Sequence, residues 1–355
     1  MVLMLSNQDV ASVLTMDACM AALEDAFVEQ AHGRAINQVR YDVNLPLTAR
    51  PERKARYEFK TMVGLLPKVG MSALRMSSTL NHKPVKFDVE RAERLYLSPS
   101  GGVTGLIQLY SMETGEPLAF MPDGVVQGMR VGGTFGLATK HLAREDASVM
   151  GLFGSGWQAR FQVAATREVR NLKLVKVFSP TLEHRERFAR DVSAEYGVPV
   201  KAVESPEEAA ADVDILISAT NAHARLIRED YVHNGMHVAA VQNEISNEAV
   251  QKADLQVTHT SKGYWVYEGG EGRGQEGELI SQLNGMWDYP ELPLLEDMIV
   301  GRIPGRTSAD QITMFRGHGL GIQFAAVGAL AYNLARARGL GHEIPGDWFV
   351  QTEHT

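Results

Sequence analysis

The hydrophobic positions of the chain follow two different patterns, and the change falls near residue 148. A first helix is predicted to begin at Thr15, a suitable N-cap, and to end at Gly33. Short apolar segments separated by turn residues then predict a mixed or antiparallel sheet, which a helix from about Asp123 to Arg144 follows. These segments are Val39–Leu45, Thr61–Leu66, Ser72–Ser78, Glu93–Leu97, Gly105–Tyr110 and Pro117–Met121.

From Ser148 onward, strand and helix patterns alternate with short links between them, which predicts a parallel, doubly wound sheet. The helix predicted from Gly319 to Arg338 then returns the chain to its first domain. We therefore predict an α/β protein with a doubly wound domain at residues 141–315 and a discontinuous α+β domain at residues 1–140 and 316–355. The strands predicted for the doubly wound domain are Val149–Phe153, Leu174–Phe178, Val200–Val203, Ile215–Ala219, His237–Val241, Gln256–Thr260 and Gln311–Phe315.

Composition narrows the classes of protein that the chain can belong to. The formal net charge is -8 over 355 residues, and no basic stripe follows any predicted element, which argues against nucleic acid as a partner. The longest apolar runs are far shorter than a membrane span. Cys19 is the only cysteine, which excludes an intrachain disulfide. We expect no secretory signal, no membrane association and a cytoplasmic location.

A glycine motif marks the entry to the second domain. Gly154, Gly156 and Ala159 follow an apolar strand and open an amphipathic helix, with a second strand about 20 residues further on. The first glycine permits a tight turn, the second lets the backbone approach a pyrophosphate, and the alanine allows close packing of the helix on the strand. This context predicts a Rossmann domain that binds a nicotinamide dinucleotide. The predicted cofactor contacts are Gly154, Ser155, Gly156, Gln158, Ala159, Ser179, Thr181, Arg185, Ala219 and Thr220.

The end of the second Rossmann strand bears on the choice between NAD and NADP. Residues 178–181 contain no Asp or Glu that would hold both ribose hydroxyls and repel a 2′-phosphate. Arg185 lies one helical turn further along. The sequence therefore predicts NAD(P), with a slight preference for NADP. Ala219 and Thr220, at the end of a central strand, are expected to line the nicotinamide side of the crevice.

The order of several segments resembles the ornithine cyclodeaminase/mu-crystallin family over nearly the whole chain. Besides Arg40 ahead of a Leu-Pro pair, the segments are Met62–Arg75, Thr114–Ala119, Asp123–Arg130, Gly154–Ala159 and Gln311–Phe315. The resemblance implies a homodimer, a nicotinamide cofactor, and a substrate-binding and dimerisation domain made of both chain ends. It also implies a small amino-acid or imino-acid substrate, whose α-carboxylate would be clamped by Arg40 and Arg130.

Two positions depart from the family pattern. Arg75 occupies the place where the family commonly has a lysine, and Glu244 lies near the place of a common Asp. An arginine stays charged and is a poor proton shuttle, whereas Glu244 keeps the ability to act as a general acid or base. We therefore predict Glu244 and Arg75 as catalytic residues, with Arg75 also a candidate ligand for a second substrate carboxylate.

Three functions stay open from the sequence. The first is an NAD(P)-dependent oxidoreductase that moves hydride to or from the C–N bond of an imine or α-amino acid. The second is a cyclodeaminase with tightly bound NAD, and the third is a non-catalytic NAD(P)H-binding protein of the crystallin type. The retained Arg130 and the acid at 244 favour catalysis, while the altered lysine and aspartate positions count against the standard cyclodeaminase.

Two histidines and one loop are the remaining candidates. His82 and His318 could transfer a proton, although an isolated histidine is more often a packing or solvated residue. The Gly/Glu-rich stretch Glu268–Glu278 is predicted to be a solvated loop or a lid over the site. No set of His, Asp or Glu has metal-ligand spacing, so no metal is predicted.

Overall fold

The computed structural model describes residues 1–47, 55–97, 99, 101–260, 265–268 and 291–351. The first elements in chain order are β1 (Val2–Met4), α1 (Asn7–Val13), α2 (Met16–Ala31), β2 (Ile36–Asn37), β3 (Arg40–Pro46), β4 (Arg56–Leu66), β5 (Met71–His82), β6 (Val85–Lys86), β7 (Val89–Glu90), β8 (Glu93–Arg94), β9 (Thr104–Ser111), β10 (Pro117–Pro122) and α3 (Gly124–Leu142).

The chain then alternates strands and helices. These elements are β11 (Val149–Phe153), α4 (Trp157–Val169), β12 (Leu174–Phe178), α5 (Leu182–Tyr196), β13 (Val200–Ala202), α6 (Pro206–Ala210), β14 (Ile215–Ser218), β15 (His237–Ala240), α7 (Asn247–Gln251), β16 (Leu255–Thr258), β17 (Trp265–Glu268), α8 (Leu295–Ile299), β18 (Thr313–Arg316), α9 (Gly321–Ala337) and β19 (His342–Ile344).

Two large sheets organise the described residues. One has seven parallel strands in the order β13-β12-β11-β14-β15-β18-β16. The other follows the order β17-β3-β4-β5-β9-β10-β1-β19 and is largely antiparallel, with β2 paired to β4 and β8 paired to β5. The α/β class with a Rossmann-type domain, predicted from the sequence, is confirmed. The division at residues 140/141 and 315/316 stays a proposal.

Most predicted elements appear, with differences at their ends. The strands Val149–Phe153 and Leu174–Phe178 match to the residue, because glycine or a turn bounds each apolar run. Strand β4 begins at Arg56 instead of Thr61, since its first half alternates polar with aromatic residues. The prediction missed β1 and α1, and the structure shows a capping box formed by Ser6 and Asp9 at the start of α1.

The last long helix, α9, lies on one face of the mixed sheet. The half of this face under α9 is apolar and contributes to the main core. Gly321 allows the contact, because a side chain there would collide with the backbone carbonyl of Val63. Beyond the start of α9, the same face carries polar and charged side chains. The transition from apolar to polar places a charged cluster at the edge of the core, beside the residues that precede α9.

Among the described residues, no helix is both long and apolar enough to cross a membrane. The predicted loop Glu268–Glu278 lies outside the described residues, except for the backbone of Glu268 in β17.

Candidate active site

The turn after β11 has the shape that the glycine motif predicts. Gly154 has a φ of 105°, a left-handed conformation that favours glycine. Its N–H donates to the Phe178 carbonyl at 2.8 Å. A side chain at Gly154 would collide with the Ala219 carbonyl, so the turn lies tightly between two neighbouring strands. This arrangement directs the start of α4 toward the crevice at the carboxyl ends of β11, β12 and β14.

The start of α4 leaves room for a pyrophosphate. Gly156 is the N-cap of α4 and is exposed, and a Cβ at this position would meet no atom of the described chain within 4 Å. Ala159 is fully buried. Gln158 is half-buried in the same turn. An open glycine at a helix N-terminus, backed by a packed alanine, fits the phosphates of a dinucleotide.

The predicted ribose side of the crevice is held by short polar contacts. The hydroxyls of Ser155 and Ser179 lie 2.8 Å apart. Thr181 is the N-cap of α5. The guanidinium of Arg185 is buried; its Nη1 donates to the Ser179 carbonyl at 2.9 Å, and the group lies over the Phe178 ring. Arg185 therefore stabilises the turn that would face the ribose.

Glu244 lies beneath the end of β14 and not at its surface. Its side chain is fully buried, and it accepts hydrogen bonds from the hydroxyl and the backbone N–H of Thr220. Burial raises the pKa of Glu244 to about 7, although the bonds from Thr220 oppose the shift. Thr220 is half-buried and follows the buried Ala219. Thr220 thus connects the Glu244 carboxyl to the crevice.

A set of backbone hydrogen bonds ties the segment after β5 to the loop directly after Thr220. The N–H of Ala92 donates to the Asn221 carbonyl at 2.8 Å, and the N–H of His223 donates to the Glu90 carbonyl at 2.8 Å. The Asn221 side chain donates to the Ala92 carbonyl at 3.1 Å. The segment after β5 and the loop after β14 are therefore held together beside Glu244.

Arg75 and Arg130 both lie against one aromatic ring. Arg75, on β5, contacts both the ring of Phe324 and the carboxylate of Asp123, with its Nε and Nη2 at 2.8 and 2.6 Å from Oδ2. Arg130, on α3, lies 4.9 Å from the centre of the same ring and donates to the side-chain carbonyls of Gln127 and Gln323 at 2.7 and 3.0 Å. The structure thus pairs Arg75 with a carboxylate of the protein, whereas the partners described for Arg130 include two neutral amides.

Arg40 belongs to the same charged cluster. Its Nε and Nη2 bind Asp42 at 2.9 and 2.7 Å, and Asp42 is fully buried. Lys60, on the neighbouring strand β4, lies 3.6 Å from Asp42 and 2.7 Å from Glu58. Sequence reasoning missed Asp42, Lys60 and Asp123. The alternation of β3 and β4 puts Asp42 and Lys60 on the face of Arg40, but only the cross-strand register shows that they meet.

The two candidate histidines lie in different surroundings. His318 precedes α9, and burial, followed by the charges of Arg40 and Arg316, lowers its pKa to about 3. His318 is therefore neutral and close to the arginines. His82 lies at the end of β5, with its Nε2 3.6 Å from Glu93.

All of the site residues named above lie in the part of the chain that resembles known proteins. A profile of the ornithine cyclodeaminase/mu-crystallin family matches residues 1–339. Alanine dehydrogenase of Archaeoglobus fulgidus is 29% identical over 344 residues, which cover 96% of this chain and 98% of that protein.

Two solved structures extend the likeness to three dimensions. Thermococcus litoralis Delta(1)-pyrroline-2-carboxylate reductase, in complex with NADH and L-proline, gives a TM-score of 0.77 at 27% identity over 96% of this chain and 100% of that one. An archaeal alanine dehydrogenase dimer with bound NAD gives a TM-score of 0.75 at 26% identity, covering 97% of this chain and 99% of that one.

The raised pKa of Glu244 predicts how stability depends on pH. A carboxyl that is easier to protonate in the folded state than in the unfolded state stabilises the fold at low pH, and this contribution is lost as pH rises through the folded pKa of about 7. The free energy of unfolding of wild type should therefore fall relative to that of Glu244→Gln between pH 5 and pH 8, by roughly 3 kcal/mol. Urea titrations across this range measure the difference. The exposed Glu113→Gln is the control, and a constant difference for Glu244→Gln would show that this carboxyl does not titrate there.

Proposed function

The chain belongs to the ornithine cyclodeaminase/mu-crystallin family, and we propose that it transfers hydride between a nicotinamide dinucleotide and the C–N bond of a small α-amino or α-imino acid. One observation carries the proposal. The glycine turn at Gly154 and Gly156 follows a strand of the parallel sheet, the arginines lie on β3, β5 and α3, and backbone hydrogen bonds tie the segment after β5 to the loop that follows Thr220. The relatives named above include alanine dehydrogenases and a pyrroline-carboxylate reductase.

The dinucleotide would lie along the carboxyl ends of the parallel strands. The N–H groups at the start of α4, next to Gly156, would bind its pyrophosphate. Ala219 and Thr220 would lie beside its nicotinamide. The bound cofactor supplies the hydride donor or acceptor, and the side chains of this chain orient the substrate and manage its proton.

The substrate carboxylate would bind to Arg130 and Arg40. A guanidinium offers parallel N–H donors to a carboxylate, which fixes the α-carbon in one orientation. Arg75 has a different role in this proposal from the one that the sequence suggested. Because its guanidinium binds Asp123, at the start of the helix that carries Arg130, Arg75 positions the clamp.

The nitrogen of the substrate must gain a proton when hydride reaches the imine carbon, and must lose one in the reverse direction. Glu244 has a pKa suited to this exchange near neutral pH. The carboxyl is buried, so its proton would pass through the Thr220 hydroxyl that bonds to it. His318, neutral and close to Arg40, is the alternative carrier of this proton.

The residues near the ribose favour NADP over NAD in this proposal. No carboxylate occurs in residues 178–181 to repel a 2′-phosphate, and the hydroxyls of Ser179 and Thr181 can donate to one. Arg185 adds positive charge beneath the same turn.

The net consumption of reduced cofactor tests the proposed reaction. We expect NADPH, and NADH with lower affinity, to be consumed in proportion to product when a cyclic imino acid, or a 2-oxo acid with ammonium, is supplied. Absorbance of the reduced nicotinamide and chromatography of the product measure both quantities. Conversion of ornithine to proline and ammonia without net cofactor change would instead assign a cyclodeaminase. Tighter binding of NADH than of NADPH would contradict the cofactor preference.

We infer that two copies associate through the outer face of the mixed sheet. Tyr41, Val43 and Leu45 alternate with the arginine face of β3, and Tyr57 lies beside them on β4; their exposed fractions are 38%, 39%, 65% and 38%. An apolar patch of this kind marks an association surface. Sedimentation equilibrium should give twice the 39.0 kDa of one chain, and Val43→Glu should shift the protein toward the monomer. A wild-type monomer at micromolar concentration would contradict the inference.

A further inference from the structure

The inner face of β3, β4 and β5 continues past the arginines as a strip of polar side chains. Strand register places Asp42 opposite Lys60, and Lys60 opposite Ser77. The next positions on this face are also polar, and they reach the end of β5, close to the segment that is joined to the loop after Thr220. The polar strip consists of Asp42, Asn44, Arg56, Glu58, Lys60, Ser77, Thr79 and Asn81.

A polar strip in this position limits what can lie on it. Four members of the strip, Asp42, Asn44, Ser77 and Thr79, are buried, and the side chains of Glu58 and Lys60 are 15% and 24% exposed, so the strip has little contact with water. An aliphatic substrate side chain would displace the remaining water without replacing its hydrogen bonds, which costs free energy for each group left unpaired. A substrate side chain that can form hydrogen bonds suits the strip better.

The acids of the polar strip already bind cations of the protein. Asp42 is fully buried and takes two bonds from Arg40. Glu58 binds Lys60 at 2.7 Å and also accepts from the Asn81 amide. A substrate ammonium group would therefore have to compete with Arg40 and Lys60 for both carboxylates, next to two positive charges.

Of the two cations in the strip, Arg56 directs its Nε and Nη2 to the side-chain oxygen of Asn44, and Lys60 is the one nearer the arginines, opposite Asp42. Its side chain is 24% exposed, compared with 15% for Glu58 and 0% for Asp42. An ammonium has three N–H donors, and within the described residues Lys60 makes one contact of hydrogen-bond length, to Glu58. Burial, followed by the charge of Arg40, lowers the pKa of Lys60, so a bound anion would favour its charged form.

We propose that Lys60 binds an acidic group on the substrate side chain, so that the preferred substrates are amino and imino acids with a second carboxylate. The inference rests on the proposed function and adds the substrate class. It moves the second-carboxylate site from Arg75 to the neighbouring strand, because Arg75 binds Asp123 and its side chain is only 8% exposed, compared with 24% for Lys60. The hydroxyls of Ser77 and Thr79 line the same part of the strip.

Substrate preference in wild type and in Lys60 variants tests the inference. Imines formed from oxaloacetate and from pyruvate with ammonium differ by one carboxylate, and consumption of NADPH gives kcat/KM for each. Wild type should favour the oxaloacetate imine by about tenfold or more, and Lys60→Met should lower this ratio by on the order of 10–100-fold. Lys60→Arg, which keeps the charge, should retain most of the preference.

Two further variants separate specificity from folding. Lys68→Met removes a surface lysine paired with Asp25 and should leave the ratio unchanged. The double variant Lys60→Met with Glu58→Gln removes both members of that pair, while Asp42 keeps its two bonds from Arg40, and should show the same loss of preference. Thermal unfolding of each variant reports on its fold.

The outcomes distinguish this inference from the proposed function. If wild type has the same kcat/KM for the pyruvate imine as for the oxaloacetate imine, the proposed role of Lys60 is overturned and the proposed function is not. The role of Lys60 is also overturned if Lys60→Met and the double variant fold normally but lose activity on both imines to the same extent. Bound NADPH without consumption on either imine would contradict the proposed function together with the inference.

Discussion

The burial of several arginines on one sheet face is the constraint on which the site depends. Arg40, Arg75 and Arg130 interact within a poorly hydrated region, where like charges repel strongly. Asp42 and Asp123 offset two of these charges through paired, short hydrogen bonds. Removing one partner of such a buried pair typically costs about 3–5 kcal/mol, because the other charge stays buried. The carboxylates therefore fix both the stability and the shape of the cluster.

The ion pair between Arg75 and Asp123 connects the cluster to the cofactor domain. Asp123 begins α3, and α3 carries Arg130, packs against α4 and leads into β11. The orientation of α3 thus sets the distance between the carboxylate clamp and the glycine turn at Gly154. At the other side of the crevice, the bonds between residues 90–92 and 221–223 hold the link from β7 to β8 against the loop that follows Thr220, and β8 is paired to β5. Two connections of different kinds therefore determine the geometry of the crevice.

The sequence predicted the sheets and the glycine motif well because their signals are local. The strands β11 and β12 are apolar runs bounded by turns. The glycine motif predicts the tight turn in which Gly154 has a positive φ. The charge pairs could not be predicted in this way. Arg75 meets Asp123 across 48 positions of sequence, and the pairing of Lys60 with Asp42 depends on strand register. The burial of Glu244 beneath Thr220 likewise depends on the packing of two separate loops, so the sequence suggested an acid but not its indirect route to the crevice.

The central claim is that one part of the chain binds the dinucleotide and another clamps the substrate carboxylate. The most direct measurement is a fluorescence titration of NADPH combined with kcat/KM for Arg130→Ala, with Gly156→Val as its counterpart. Arg130→Ala should bind NADPH like wild type and lose about 100-fold in kcat/KM, as expected for a charge-assisted bidentate contact. Gly156→Val has space to fold but should lose NADPH binding, because its side chain would fill the pyrophosphate position. The account would be contradicted if Arg130→Ala lost as much NADPH affinity as kcat/KM, or if Gly156→Val bound NADPH with unchanged affinity.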